Sequence, residues 1–180
     1  MPGKASVPLV IDASVARASG GEDATYPTSK HCRDFLKAVL SICHRIVMTP
    51  PIAEEWSRHQ SRFARQWRVS MNARKKVVRI EGAENDDLRS KIGHIGMDRR
   101  DCDAMLKDLP LIETALVAGQ TVISLDQDAR IRFDRAAQSA GDLKTVVWVN
   151  PDKIREEEPL LWLQNGAKPE RRRRLGSGSE

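Results

Sequence analysis

The sequence is poor in the residues that build covalent or zinc-held frameworks. Its three cysteines, Cys32, Cys43 and Cys102, are odd in number and form no C-x-x-C pair, which argues against a disulfide framework and leaves them to be read as core thiols on helices. Its four histidines, His31, His44, His59 and His94, are scattered, with no two at the spacing of a zinc site. No apolar run is long enough to span a bilayer. The first ten residues carry Pro2 and Gly3 where a signal peptide needs a sustained apolar stretch. The expectation is a cytoplasmic chain without membrane association.

What is present suits one α/β domain. The 180 residues are 40% hydrophobic and 31% charged, enough apolar material for a core. The net charge of +5 and pI near 9.3 suggest a polyanionic partner, although part of the excess sits in the run Arg171-Arg172-Arg173-Arg174.

Val7 to Ile11 is a short apolar run ending at Asp12, as expected of a strand buried on both faces. Helical spacing follows from about Ser29 to Arg45, then a second strand at Ile46-Val47-Met48, which together make a β-α-β unit. Pro50-Pro51 opens a single long helix running to about Ala73. Lys75 to Ile80 reads as a strand or as the frayed end of that helix, and the glycine-punctuated stretch Glu81 to Asp98 as loop and short helix. A helix from about Arg99 to Lys107 is interrupted by Pro110, and a second, Pro110 to Ala118, stops at Gly119. Thr121 to Leu125 and Thr145 to Val149 are further strands, with a helix over Asp128 to Ser139 between them. The alternation predicts a mostly parallel sheet covered by helices over residues 1–150, a C-terminal helix within 151–165 and a basic, disordered tail over 166–180. Gly176 to Ser179 resembles a linker and is left out of the fold reasoning.

Ligands of parallel α/β sheets bind outside the carboxyl ends of the strands, where Asp12 and Asp126 fall. Either acid alone reads more readily as an ordinary turn or cap residue; the pair carries more weight. On the long helix, at about 100° per residue, Ile52, Trp56, Phe63 and Trp67 share an arc of about 60°, while Glu55, Arg58, Arg62 and Arg65 lie opposite within about 80°. Those arginines are either a solvated, ion-paired face or a grip on phosphates. Asp108 stands just before Pro110, where a helix start would favour a carboxylate in any case. Asp101, Asp103 and Glu113 read as helix-terminus or surface acids, and Asp128 as a cap or a further, water-mediated metal ligand.

Four stretches together resemble the acidic motifs of PIN domains, the fold of VapC-type toxin ribonucleases: Val10-Ile11-Asp12-Ala13-Ser14, Ile52-Ala53-Glu54-Glu55, Lys107-Asp108-Leu109-Pro110-Leu111-Ile112-Glu113-Thr114-Ala115 and Ile123-Ser124-Leu125-Asp126. The resemblance runs over about residues 7 to 150. It implies a three-layer α/β/α fold and an Mg²⁺- or Mn²⁺-dependent endoribonuclease whose metal site is Asp12, Glu55, Asp108 and Asp126, with Ser14 and Ser124 hydrogen-bonded behind it. RNA is the implied partner, and a cognate antitoxin and a homodimer are partners the family admits; the helix face of Arg58, Arg62 and Arg65, beside Glu55 and not part of the family's motifs, is expected to contact the RNA phosphates. Hard divalent ions take oxygen ligands, which suits four acids and no His or Cys cluster. One rival, a haloacid-dehalogenase-type phosphatase, would need a second Asp two residues after the first, where this chain has Ser14. The other is a catalytically weak PIN-like RNA-binding or adaptor protein.

Overall fold

The computed structural model describes residues 5–178. Its core is a five-stranded, all-parallel sheet in the order β3-β2-β1-β4-β5, with β1 at Pro8–Ile11, β2 at Arg45–Met48, β3 at Val77–Arg79, β4 at Thr121–Ile123 and β5 at Val147–Val149. β1, β4 and β5 are nearly unbroken apolar runs, as strands covered on both faces must be, and Leu9, Val10, Ile11, Val122, Ile123 and Trp148 are fully buried. The chain leaves β1 in one direction to reach β2 and β3 and returns on the other side to reach β4 and β5. The order therefore reverses between β1 and β4, the switch point where such sheets hold ligands.

Eight helices cover the sheet among the described residues: α1 (Ala13–Ala18), α2 (Pro27–Ser41), α3 (Pro50–His59), α4 (Arg62–Ala73), α5 (Asp86–Gly93), α6 (Arg99–Val117), α7 (Gln127–Ala136) and α8 (Pro159–Gln164). Helices α1 to α4 and α8 pack on one another, as do α5, α6 and α7, which makes the three-layer α/β/α arrangement expected from the sequence. No helix of the described residues is long and apolar enough to cross a membrane.

Three expectations are corrected. The single long helix is two, because Gln60 turns to an extended backbone and Ser61 caps α4, its hydroxyl accepting from Ala64 N at 3.1 Å. The break is held from outside: Ser61 N donates to the carbonyl of Ala16 in α1 and Phe63 N to that of Gly20 just after it. The apolar stripe survives it, since Ile52, Trp56, Phe63 and Trp67 are all buried and the two indoles stack at 5.8 Å.

Conversely, Pro110 does not divide α6. Met105, Leu109 and Ile112 bury one face straight through the proline, so packing outweighs the hydrogen bond that its missing N–H forfeits. Gly119 then turns at φ 77°, where a Cβ would stand 2.2 Å from the Pro8 carbonyl oxygen, so only glycine lets the chain pass β1 so closely.

The third correction is the C-terminus. The helix expected within 151–165 is confined to α8, and residues 166–178 are packed rather than a disordered tail. Arg174 bridges antiparallel to Val147, Leu175 N donates to Val146 O at 2.9 Å, and the Leu175 side chain is buried. Arg173 is buried over the Trp162 ring at 5.4 Å and pairs with Glu170 at 2.9 Å and Glu157 at 3.7 Å. Gly176, set aside as linker-like, is part of this packing: its N–H donates to Asp134 at 2.9 Å. Cys32 and Cys102 are buried thiols on helices as expected, while Cys43 lies beyond the end of α2 and is half-buried.

Candidate active site at the switch point

The site begins with the strand that carries Asp12. Ile11 ends β1, Asp12 N donates to Ile123 O of β4 at 2.9 Å, and the Asp12 backbone stays extended as the chain turns into α1. Asp12 occupies the cap position of α1, yet its carboxylate does not cap. Instead Oδ2 accepts two hydroxyls, from Ser14 at 2.6 Å and from Ser124 at 2.8 Å. Each serine is fixed from its other side: Leu125 N donates to Ser14 Oγ at 3.2 Å, and Asp126 N to Ser124 Oγ at 3.0 Å. Among the described residues Oδ1 accepts no hydrogen bond. Both hydroxyls are thus spent on holding one carboxylate oxygen, and the other remains open to a ligand.

Glu55 reaches this edge through its neighbour. The buried Trp56 donates its indole N–H to the Ile11 carbonyl at 2.7 Å, which clamps α3 onto the last residue of β1. Asp12, Glu55 and Asp108 then line one cavity of about 220 Å³, walled on its apolar side by Ile52, Pro110 and Leu111. Glu54 and Lys107 line it as well. Lys107 is not legible as a site residue in the sequence, and Glu54 yields there to Glu55, which stands three residues after Ile52 on the polar face. The half-buried Asp108 does not open a helix but sits within α6, one turn ahead of Leu111 and Ile112. Burial, then the negative charges of Asp126 and Asp12, push its carboxyl up to about 6, with Lys107 and Arg132 pulling the other way.

Asp126 belongs to the same electrical neighbourhood but is an N-cap too: its Oδ1 accepts from Ala129 N at 2.8 Å and starts α7. Cap and site acid are compatible, since the cap engages one oxygen of the two. Asp126 and Asp128 are exposed and do not line the cavity of Asp12, Glu55 and Asp108. Among the described residues no three histidine, cysteine, aspartate or glutamate side chains stand close enough to form a ready-made cage for an ion.

Of the arginines, only Arg58 shares a helix with Glu55; Arg62 and Arg65 lie on α4, beyond the break. Arg58 pairs with Glu54 and lies 3.9 Å from Glu55, whose other oxygen is 3.5 Å from His59 Nε2. Arg62 and Arg65 are exposed and are not in the cavity wall. Glu113, expected at the surface, is instead buried, taking both Arg89 contacts at 2.7 and 2.8 Å and Asn85 N at 2.8 Å. It anchors α5 to α6 and has no open oxygen to offer. Asp101 is held by Arg132 at 2.8 Å, and Asp103 is exposed beside Arg99.

The donor set at the switch point is all oxygen, hard and net negative. Mg²⁺ is bound through one or two carboxylates and keeps several waters, so paired acids with an open oxygen fit it without a closed cage. No protein-family model, curated protein or solved structure matches the chain.

Proposed function

We propose that this protein is a PIN-like, divalent-metal-dependent endoribonuclease. The observation that carries the reading is that Asp12, Glu55 and Asp108, from three elements far apart in sequence, line one cavity beside the β1/β4 switch point, with Asp126 close enough to raise the Asp108 carboxyl. In this reading Asp12, Asp108 and Asp126 would hold Mg²⁺ or Mn²⁺, Asp128 would serve as an outer, water-mediated ligand, and Glu55 would orient the attacking water or hold a second ion. A bound divalent ion would offset charge on the phosphate and make water a better nucleophile at neutral pH.

The chain's own residues do the rest. Ser14 and Ser124 keep Asp12 in one orientation, so little rearrangement is needed when substrate arrives. Glu55 takes the proton of the water whose oxygen bonds to phosphorus. The bond from phosphorus to the 3′ oxygen breaks, that oxygen takes a proton from solvent, and the products carry a 5′-phosphate and a 3′-hydroxyl. Lys107, on the cavity wall, supplies a positive charge for a phosphate oxygen, and the exposed Arg62 and Arg65 attract the backbone from farther out. A toxin whose activity a cognate antitoxin masks is one setting for such an enzyme.

The phosphatase alternative is disfavoured by Ser14, which stands where that chemistry needs an acid and is engaged in holding Asp12. A non-catalytic RNA-binding or adaptor protein is favoured by one observation, the lack of a ready-made three-ligand cage among the described residues. One assay separates the readings: single-stranded RNA incubated with wild type, Asp12→Asn and Asp108→Asn, with Mg²⁺, Mn²⁺ or EDTA, and the new ends mapped. Cleavage by wild type alone, lost in EDTA, restored by metal and leaving 5′-phosphates, is the expected result. RNA that is bound but left intact under every metal condition would favour the adaptor.

A further inference from the structure

A second cleft opens beside Ser14. Its walls include Ser14, Arg17, Gly20, Tyr26, Ser29 and Leu125. Two of these tie it to the acidic site, because Ser14 donates to Asp12 and Leu125 directly precedes Asp126.

Tyr26 is out of place by ordinary packing. The chain has four tryptophans, three phenylalanines and this one tyrosine. Every tryptophan and phenylalanine is buried, whereas Tyr26 is 71% exposed. Its backbone is nevertheless held firmly: the buried Arg33 donates to the carbonyls of Gly21 at 2.8 Å and Ala24 at 2.5 Å, and Tyr26 O accepts from Lys30 N at 3.0 Å. Two residues on, Thr28 Oγ1 donates to Asp152 at 2.9 Å. A ring fixed at its base and largely open to solvent is a platform for a flat partner. Arg17, also exposed in this cleft, forms no ion pair among the described residues.

We infer that this cleft is a subsite for single-stranded nucleic acid, in which an unpaired base next to the cleaved phosphate stacks on Tyr26 and a backbone phosphate meets Arg17. An aromatic face beside an unpaired cation is the pairing by which proteins take bases and phosphates of unpaired strands. A duplex keeps its bases stacked on one another and offers Tyr26 no face, so single strands or loops are the substrate class. The inference rests on the nuclease reading only for what lies next door; the stacking can be observed without any cleavage.

The test uses the full chain, with Ca²⁺ replacing Mg²⁺, and a single-stranded RNA carrying one 2-aminopurine, whose fluorescence reports stacking. Wild type and Tyr26→Phe should bind with a saturable fluorescence change. Tyr26→Ala should lose that change and bind on the order of five- to tenfold more weakly. Arg17→Ala should keep the fluorescence change while its log–log salt dependence flattens by about 0.7. Tyr26 is exposed, so its replacement should leave the thermal midpoint unmoved, which a melt verifies. Equal affinity and signal from Tyr26→Ala, equal binding of the matching duplex, or no binding by wild type would each overturn the subsite. Tyr26-dependent stacking without cleavage in Mg²⁺ or Mn²⁺ would instead sink the nuclease reading and leave the subsite standing. Cleavage that is indifferent to Tyr26→Ala would do the reverse.

Discussion

Ser124, at the end of β4, donates its hydroxyl to Asp12 Oδ2 at the end of β1 across 2.8 Å, and the same oxygen accepts from Ser14 at 2.6 Å. Removing either hydroxyl leaves Asp12 with one tether. Ser124→Ala has the larger consequence, because Ser124 Oγ is also the acceptor for Asp126 N, so one change loosens two acids of the site. Supporting hydrogen bonds of this type are worth about 10- to 100-fold in metal affinity or activity. Manganese titration of kcat/KM for Ser14→Ala, Ser124→Ala and the double variant should show losses in that range, steepest at low metal. Wild-type metal dependence in the double variant would mean that Asp12 needs no fixing.

The pH dependence follows from Asp108, raised from 3.8 to about 6 chiefly by burial. A carboxyl raised in the folded state contributes stability below its unfolded value, and that contribution is lost as pH climbs through about 6. Metal-free Asp108→Asn should therefore be more stable than wild type at pH 7, by on the order of 1 to 2 kcal/mol after allowance for solvent screening, with the gap closing below about pH 4. Added Mg²⁺ should stabilise wild type and not the variant. Activity at limiting metal should rise through about pH 6, and the midpoint should move down as metal increases, since metal and proton compete for one carboxylate. Urea melts at pH 4 and pH 7 with and without metal check the first two statements, and initial rates across pH check the third.

The Arg89 and Glu113 pair is expected to matter for folding and not for chemistry. The Glu113 side chain is 2% exposed against 40% for Arg89, so Arg89→Ala strands a buried carboxylate. The cost should be about 2 to 3 kcal/mol, below the value for fully buried pairs because water can enter from the arginine side. Equilibrium unfolding measures it, and folded Arg89→Ala should cleave at the wild-type rate.

The C-terminal segment gives the sharpest stability test. A chain ending at Lys168 loses Leu175 from the core, the Arg173 cover over Trp162 and the bridge to Val147. It should unfold at a clearly lower urea midpoint, and Leu175→Ala alone should cost about 2 to 3 kcal/mol. An unchanged midpoint in the shortened chain would show the segment to be an appendage, and its arginines would again be candidates for a nucleic-acid grip.

Much of this was legible in the sequence where the signal is local. Apolar runs such as Val7 to Ile11 and Thr121 to Leu125 become parallel strands within a residue or two of the expected ends, because buried strands need little beyond continuous hydrophobicity. The stripe of Ile52, Trp56, Phe63 and Trp67 was also readable, even though its helix is broken in two. The break is not legible locally because Ser61 becomes a cap only when Ala16 and Gly20 accept the N–H groups of Ser61 and Phe63, and those carbonyls lie more than 40 residues earlier in the chain. The continuity of α6 was missed for the opposite reason: proline's local penalty was visible, and the buried face that outweighs it was not.

By itself the sequence determined the fold class, four of the five strands and the order of the acids, since these depend on which residue types recur at which spacing, whereas Ser14 and Ser124 were indicated only by the resemblance of the motifs that contain them. Only the tertiary structure decided that Asp12, Glu55 and Asp108 share a cavity that Asp126 does not line, that Glu113 is a buried anchor, and that Arg173 belongs to the core. A charge reads as solvated until its partner is known. Arg173 is buried because Glu157, Glu170 and the Trp162 ring surround it, and that company is assembled by the fold from positions with no shared periodicity.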